Sequence, residues 1–128
     1  MNRVLLDTHV LLWAAALPER LSPAQTAQLQ DPEVALLVST ISVAEIEIKR
    51  PIGKLDLLHT GDAPRLSIAG TWLGRAPEHA MALRSLPLHH RDPFDRLLIA
   101  QALTEGVPLV SSDDALRAYV DSGLTIIR

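Results

Sequence analysis

Short apolar segments of strand length alternate along this chain with longer segments of helical period. The strand-like segments are RVLL at 3–6, VALLVST at 34–40, VPLVSS at 107–112 and LTIIR at 124–128. Strands that alternate with helices form a parallel sheet covered on both faces, with ligands bound at the carboxyl ends of the strands. At 128 residues the chain has the size of one domain. We therefore predict an α/β fold made of a single domain over residues 1–128.

Capping residues, prolines and glycines mark the predicted helices. Helices are predicted after Asp7-Thr8, after Ser22-Pro23, over PEHAMALRSL, over PFDRLLIAQALTE before Gly106 and over DDALRAYVDS before Gly123. Residues 51–77 are rich in proline and glycine. They stay unassigned, except for a short helix predicted near SIAGTWL.

The segment ISVAEIEIKR at 41–50 has two interpretations. Alternation of apolar residues alone favours a strand. A cap at Ser42, the spacing of Glu45 and Lys49, and a proline at position 51 favour a helix. We favour the helix. The residues predicted to face the core are Ile41, Ala44 and Ile48.

Four acidic residues each lie at the edge of an apolar segment: Asp7, Glu45, Asp95 and Asp113. Uncompensated charge so close to the interior is costly, and a hard divalent cation such as Mg²⁺ or Mn²⁺ compensates carboxylates naturally. We predict a metal site built from these acids, with Asp7 and Asp95 as the principal ligands. Glu45 and Asp113 are predicted to be additional ligands, water-mediated contacts or groups that orient the attacking water. A cation held there would polarise a phosphodiester oxygen and lower the pKa of a bound water.

Each acid also has an ordinary structural explanation. Asp7 and Asp113 belong to the residue types that cap helices, and capping is the favoured explanation for either one taken singly. Glu45 with Lys49 four residues later is the usual helical ion pair. A negative charge at Asp95 complements the dipole at the start of its helix. These roles are compatible with metal binding, so both explanations stay open at this point.

Residues beside the acids are candidates for supporting roles. Thr8 could bond a ligand carboxylate or the scissile phosphate. Asp92 is predicted to cap the helix that follows it, with support of Asp95 as a lesser role. Arg91 and Arg96 are the candidate phosphate contacts, and the alternative for both is a salt bridge to Asp92 or Asp95.

The pair His89-His90 suggests a zinc site, but adjacent residues rarely point at one ion and no third histidine lies at helical spacing. We favour a surface or loop role for both histidines over zinc ligation. The chain has no cysteine, which excludes thiol catalysis, disulfides and zinc-thiolate sites.

Charge and hydropathy narrow the possible environments. The net charge is −3, which is unlike a basic nucleic-acid coat, and aromatic residues make up only 3% of the chain, which leaves few platforms for stacked bases. No apolar run approaches the length of a membrane span, and the start MNRVLLDTHVLLW meets an acidic residue too early for a secretory signal. We expect a soluble, cytoplasmic protein that does not bind membranes.

Four motifs in this order, DTHVLLW, SVAEIEIK, HRDPFDRLLIAQA and PLVSSD, resemble the PIN-domain family, and in particular the VapC-like toxins of type II toxin-antitoxin pairs. The resemblance implies a three-layer α/β/α fold with a small parallel sheet flanked by helices. It implies a ribonuclease that depends on Mg²⁺ or Mn²⁺, with its acidic site on Asp7, Glu45, Asp95 and Asp113. It also implies an RNA substrate, a homodimer and a VapB-like antitoxin as partner. The chain departs from related sequences between 73 and 77, where it is shorter.

Two other functions compete with this one. A phosphohydrolase could use Asp7 as nucleophile, but that chemistry expects a second aspartate two residues on, where His9 stands. A non-catalytic interaction module could keep the fold without the activity. The presence of all four acids argues against the second alternative.

Overall fold

Five parallel strands form one sheet in the computed structural model, which describes residues 2–50 and 70–128. Within those residues the strands are β1 (Asn2–Leu6), β2 (Val34–Ser39), β3 (Thr71–Leu73), β4 (Leu109–Val110) and β5 (Ile126–Ile127). Their order across the sheet is β3-β2-β1-β4-β5, and β1 lies at the centre between β2 and β4. The predicted parallel α/β sheet is confirmed.

The helices follow the capping and proline signals of the sequence. They are α1 (Thr8–Ala16), α2 (Pro23–Gln30), α3 (Thr40–Lys49), α4 (Pro77–Met81) and α5 (Pro93–Glu105), with 3-10 turns at Pro18–Arg20, Ala82–Ser85 and Asp114–Ser122. Gly106 ends α5 in the left-handed conformation, with φ of 66°, where a residue with a side chain would be strained. The predicted helix over PEHAMALRSL is α4 continued as a 3-10 turn, and the predicted helix before Gly123 is entirely of the 3-10 type.

Alternate residues of each strand point to opposite faces of the sheet, so the sheet has a hydrophobic core on each side. One core contains Leu5 of β1, Leu37 of β2 and Leu109 of β4, packed with Leu98 and Ile99 of α5. The other core lies on the opposite face of the sheet, between strand residues of alternate positions and residues of α1 and α3. Its members are Val4, Leu6, Leu36, Val38 and Val110 with Val10, Leu11, Leu12 and Ile46. Helices therefore cover both faces, as the three-layer α/β/α prediction requires.

The helix α3 is confirmed, and its predicted core face is right at Ile41 and wrong at Ala44 and Ile48. Its buried residues are Ile41, Ser42, Glu45 and Ile46. Ala44 and Ile48 are exposed, the latter by 56%. The helix turns Glu45 inward because that carboxylate finds polar partners there, described below. Its N-cap is Ser39, whose side chain accepts from the N–H of Ile41, and the predicted cap residue Ser42 lies inside the helix.

The helix predicted near SIAGTWL is wrong where the structure describes it. Residues Thr71–Leu73 form β3 and pair with β2 in parallel, whereas positions 67–69 lie outside the described residues, as does most of the unassigned segment 51–77. The backbone just before β3 approaches β2 closely, since a Cβ on Gly70 would lie 2.9 Å from Val38 Cγ2. Among the described residues, no helix has the length and apolar character needed to cross a membrane.

Candidate functional site

Two of the four acids follow strands at the carboxyl edge of the sheet. Asp7 comes directly after β1, and its N–H donates to the carbonyl of Val110 in β4 at 3.1 Å. Its Oδ1 accepts from the N–H of Val10 at 2.8 Å and caps α1. Asp113 follows β4 and accepts from the N–H of Ala115 at 2.9 Å. Both predicted capping roles are confirmed, and the sheet brings the two acids to the same edge.

Asp7 is an acid held in the interior, with only 5% of its surface exposed. Burial raises the pKa of its carboxyl to about 6, against hydrogen bonds from Ser111 and from the Val10 N–H that lower it. The charge of Asp95 contributes to this raised pKa. A carboxyl with this pKa is poorly compensated by the protein alone, so a cation beside it would relieve a real electrostatic cost.

Asp95 lies in the first turn of α5, where the charges of Asp92 and Glu45 affect its pKa. Burial raises the pKa of its carboxyl, a hydrogen bond from His90 opposes the change, and the charges of Asp92 and Glu45 raise the pKa again. Asp92 is the N-cap of α5 and accepts from the N–H groups of Phe94 and Asp95, so its predicted capping role is confirmed.

Glu45 reaches the site from α3, where its side chain is almost fully buried. The hydroxyl of Thr8 donates to its Oε1 at 2.6 Å, which is one of the two bonds predicted for Thr8. Lys49 forms the predicted ion pair with Glu45 one turn away. The Lys49 ammonium also lies 3.6 Å from Asp92, so it ties α3 to the start of α5. Burial lowers the pKa of Lys49, but the carboxylates of Glu45, Asp92 and Asp95 together raise it above its usual value.

One functional candidate was missed by sequence reasoning: His90. Its Nε2 lies 2.7 Å from Oδ2 of Asp95, and ligand atoms of His90, Asp95 and Asp113 lie within 4.8 Å of one another. His90 lies in the loop before α5, as predicted, but it is half-buried and its imidazole contacts Asp95, whereas His89 is exposed. The hydroxyl of Tyr119 accepts hydrogen bonds from the backbone N–H groups of His89 and His90, at 3.1 and 2.9 Å, and holds this loop in place. One signal could have indicated His90: it lies shortly before a helix that begins with proline, where a loop can fold back over the first turn.

The two arginines behave differently. Arg96 donates to the backbone carbonyls of Leu83, Leu86 and Pro87, and to the hydroxyl of Tyr119. Its guanidinium thus holds the chain before α5 in place. Among the described residues it makes no salt bridge to Asp92 or Asp95, so that alternative is wrong, and its phosphate contact stays a prediction. Arg91 is exposed in the loop between His90 and Asp92, and its phosphate contact stays a prediction.

The donor set suits a hard divalent cation. The charge of Asp95 acts on Asp7 and that of Glu45 acts on Asp95, and Asp113 lies beside Asp95 on the exposed side. Carboxylate oxygens are the donors that Mg²⁺ and Mn²⁺ prefer, and the described residues place no thiolate near them. Of the four predicted ligands, Asp95 and Asp113 have their carboxylates within 4.8 Å of each other, and a metal site that also includes Asp7 and Glu45 stays a prediction.

The parallel sheet, its helical layers and the acids at its carboxyl edge define an α/β protein of one recognised class. Residues 4–121 match the profile of the PIN domain, and the chain belongs to the PIN-domain family. It is 32% identical over 130 residues to Ribonuclease VapC22 of Mycobacterium tuberculosis, covering 93% of each chain. Two solved structures share its fold. The structure of VapBC2 from Rickettsia felis bound to a promoter DNA fragment has a TM-score of 0.71 at 13% identity, covering 97% of this chain and 96% of that one. VapBC-5 from Mycobacterium tuberculosis has a TM-score of 0.66 at 20% identity, covering 100% and 99%.

Proposed function

We propose that the protein is a divalent-metal-dependent endoribonuclease, formed by a single domain, that acts as the toxin of a VapBC-like toxin-antitoxin pair. The observation that carries the proposal is the buried Asp7 carboxyl at the sheet edge, with its raised pKa, with Asp95 near enough to raise that pKa, and with ligand atoms of Asp95 and Asp113 within 4.8 Å of each other. The relative VapC22 is named a ribonuclease, which supports the same activity here.

Asp7 and Asp95 would be the principal holders of Mg²⁺ or Mn²⁺, with Glu45 and Asp113 completing the site directly or through water. A bound divalent cation supplies Lewis acidity to a phosphate oxygen and makes a water easier to deprotonate near neutral pH. Asp113, the exposed member of the set, lies where a phosphate would approach from solvent.

The remaining residues of the site orient these acids or contact the substrate. Thr8 holds one oxygen of Glu45, and Lys49 neutralises part of the charge on Glu45 and Asp92. Asp92 supports Asp95 through the first turn of α5. Arg91 stands exposed beside the site and is the proposed contact to an RNA phosphate.

The proposal extends to partners and location. Structural neighbours from Rickettsia felis and Mycobacterium tuberculosis are described as VapBC assemblies, which supports a VapB-like antitoxin as partner of this chain. We further propose a homodimer in the cytoplasm.

The competing functions receive less support. A non-catalytic interaction module would have no use for a buried acid whose ionisation is costly. A phosphohydrolase with Asp7 as nucleophile would need a second aspartate two residues on, and His9 stands at that position.

Cleavage of a mixed RNA pool in Mn²⁺ tests the proposal, with wild type compared with Asp95→Asn. The matched control is Asp114→Asn, because Asp114 neighbours Asp113 but is exposed and paired with Arg128. We expect cleavage by wild type and by the control, none by Asp95→Asn and none in EDTA. Equal cleavage by wild type and Asp95→Asn, or cleavage that persists in EDTA, would refute the metal-nuclease proposal.

A further inference from the structure

We infer that a cleft beside the acidic site binds one unpaired nucleobase of the RNA, next to the scissile phosphate, with Trp13 and His9 as its stacking surface. This inference rests on the proposed ribonuclease function and adds a base-binding subsite to it. The cleft is lined by Asp7, His9, Trp13, Ser112 and Asp113.

The position of the cleft ties it to the acids. Asp7 and Asp113 form one part of its wall, so whatever fills it lies directly beside the proposed metal site. In an RNA strand each base is covalently linked to the adjacent phosphate. A base in the cleft would therefore hold its own backbone against Asp7 and Asp113, which is the alignment that phosphodiester cleavage needs.

The size of the cleft suits a small flat group. Its volume is about 210 Å³, which is below the roughly 300 to 1,000 Å³ of sites that enclose drug-sized molecules. A single base fits this description better than a folded RNA element or a protein helix. Proteins that bind single-stranded RNA with little sequence preference usually stack its bases on aromatic rings.

The aromatic wall comes from one face of α1. His9 and Trp13 are four residues apart, and their ring centroids lie 6.1 Å apart at a tilt of 55°. The indole Nε1 of Trp13 is buried and has no hydrogen-bond partner among the described residues. Because Nε1 is shielded from solvent, the indole meets the cleft with its carbon atoms, which form a surface for stacking rather than for hydrogen bonding.

The other three aromatic residues do not line this cleft. Tyr119 is fully buried, and the Phe94 ring lies under the ammonium of Lys49 at 5.6 Å. Trp72 belongs to β3, an edge strand that lies two strands from β1, on the side away from β4. In a chain whose aromatic content is 3%, Trp13 is the tryptophan placed beside the acids.

A polar group in the cleft is oriented to meet the edge of a base. Gln25 is fully buried, and its Oε1 accepts from the N–H of Ser22, so its amide nitrogen points the other way. That nitrogen donates to Oγ of Ser112 at 2.8 Å. The Ser112 oxygen is thus used as an acceptor, which leaves its hydroxyl proton for an acceptor atom on a base.

Fluorescence of Trp13 tests the inference in the full chain carrying Asp95→Asn, which leaves the RNA uncut. Trp72→Phe in the same chain makes Trp13 the only tryptophan, since the sequence holds two. The probes are a single-stranded oligoribonucleotide of mixed sequence and the same backbone without bases, both in Mg²⁺. We expect saturable quenching by the intact oligonucleotide and none by the abasic one.

Affinity measured by anisotropy of labelled RNA gives the second readout. Removing one stacked base contact through Trp13→Leu should weaken binding about tenfold, whereas Trp13→Phe should retain most of it and Trp72→Phe should change nothing. Thermal melting of each variant controls for folding, and Trp13→Phe keeps the test valid if the leucine variant fails to fold. The inference is overturned if Trp13→Leu folds and binds like its parent, or if intact and abasic strands bind equally and quench equally. Cleavage by wild type and not by Asp95→Asn would then leave the nuclease proposal standing.

Discussion

His90 Nε2 lies 2.7 Å from Oδ2 of Asp95, across the Asp92-Pro93 turn that starts α5. The hydroxyl of Tyr119 holds the backbone of His90, so the imidazole is fixed from both ends. A hydrogen bond of this length orients one oxygen of Asp95 and leaves the rest of the carboxylate free to face a cation. His90 is therefore positioned to support metal binding, either by orienting Asp95 or by donating its own nitrogen.

Replacing His90 should weaken metal binding without unfolding the protein. Loss of a partner that orients a metal ligand typically lowers affinity about 10- to 100-fold, and we expect a decrease in that range for Mn²⁺ binding by His90→Gln. Isothermal titration calorimetry measures the change. The matched control is His89→Gln, because His89 is adjacent but exposed, and it should bind like wild type. Equal affinities for the two variants would show that the His90–Asp95 bond has no role in the site.

Lys49 should matter far more to stability than a surface cation. Lys49→Met leaves the buried Glu45 carboxylate without its ion-pair partner, and breaking a buried pair costs about 3 to 5 kcal/mol. Because Lys49 is itself partly exposed, we expect a loss of about 2 to 3 kcal/mol in the free energy of unfolding, measured in urea at pH 7.

The control for this prediction is Arg117→Met. Arg117 makes a 3.7 Å ion pair with Asp114 at the surface, and pairs of that kind contribute about 0 to 1 kcal/mol. If Lys49→Met lost no more stability than Arg117→Met, the buried pair would not compensate Glu45 as argued here.

The metal-free protein should become less stable as the pH rises from 5 to 7.5. The Asp7 carboxyl has a pKa of about 6 in the folded protein against 3.8 in the unfolded chain, so the folded state keeps a proton that the unfolded state has released. Stability therefore falls as pH rises through that window, by about 1 kcal/mol from this group between pH 5 and 7.5. The raised pKa of Asp95 acts in the same direction.

Urea unfolding in EDTA at the two pH values measures this effect, and Asp7→Asn is the control. The asparagine variant should show a smaller decrease over the same interval and should be more stable than wild type at pH 7.5. A wild-type protein that gained stability with rising pH relative to Asp7→Asn would contradict the assigned electrostatics of Asp7.

Local sequence signals were enough to predict four of the five described strands, most helices and the caps at Asp7 and Asp113. These features depend on residues close together in the chain, such as the Asp7-Thr8 pair at the end of an apolar segment. The convergence of the acids followed from topology, because the carboxyl ends of parallel strands share one edge.

The errors arose where the structure depends on distant partners. His90 is drawn into the site by Tyr119, which lies 29 residues away in the chain. Periodicity misplaced the buried face of α3, since Thr8 and Lys49 make burial of Glu45 acceptable. Arg96 is held by carbonyls that a 3-10 turn presents, and the sequence does not reveal their direction.

Direct binding of Mn²⁺ tests the central claim, that Asp7 and Asp95 hold a divalent cation at the carboxyl edge of the sheet. Electron paramagnetic resonance of free Mn²⁺ measures the bound fraction for wild type, Asp7→Asn, Asp95→Asn and the exposed control Asp114→Asn. We predict that wild type and Asp114→Asn bind Mn²⁺. The affinity of Asp7→Asn and Asp95→Asn for Mn²⁺ should fall by more than the roughly 100-fold that is lost when a residue orienting a ligand is removed. Binding by Asp7→Asn and Asp95→Asn at wild-type affinity would contradict the account.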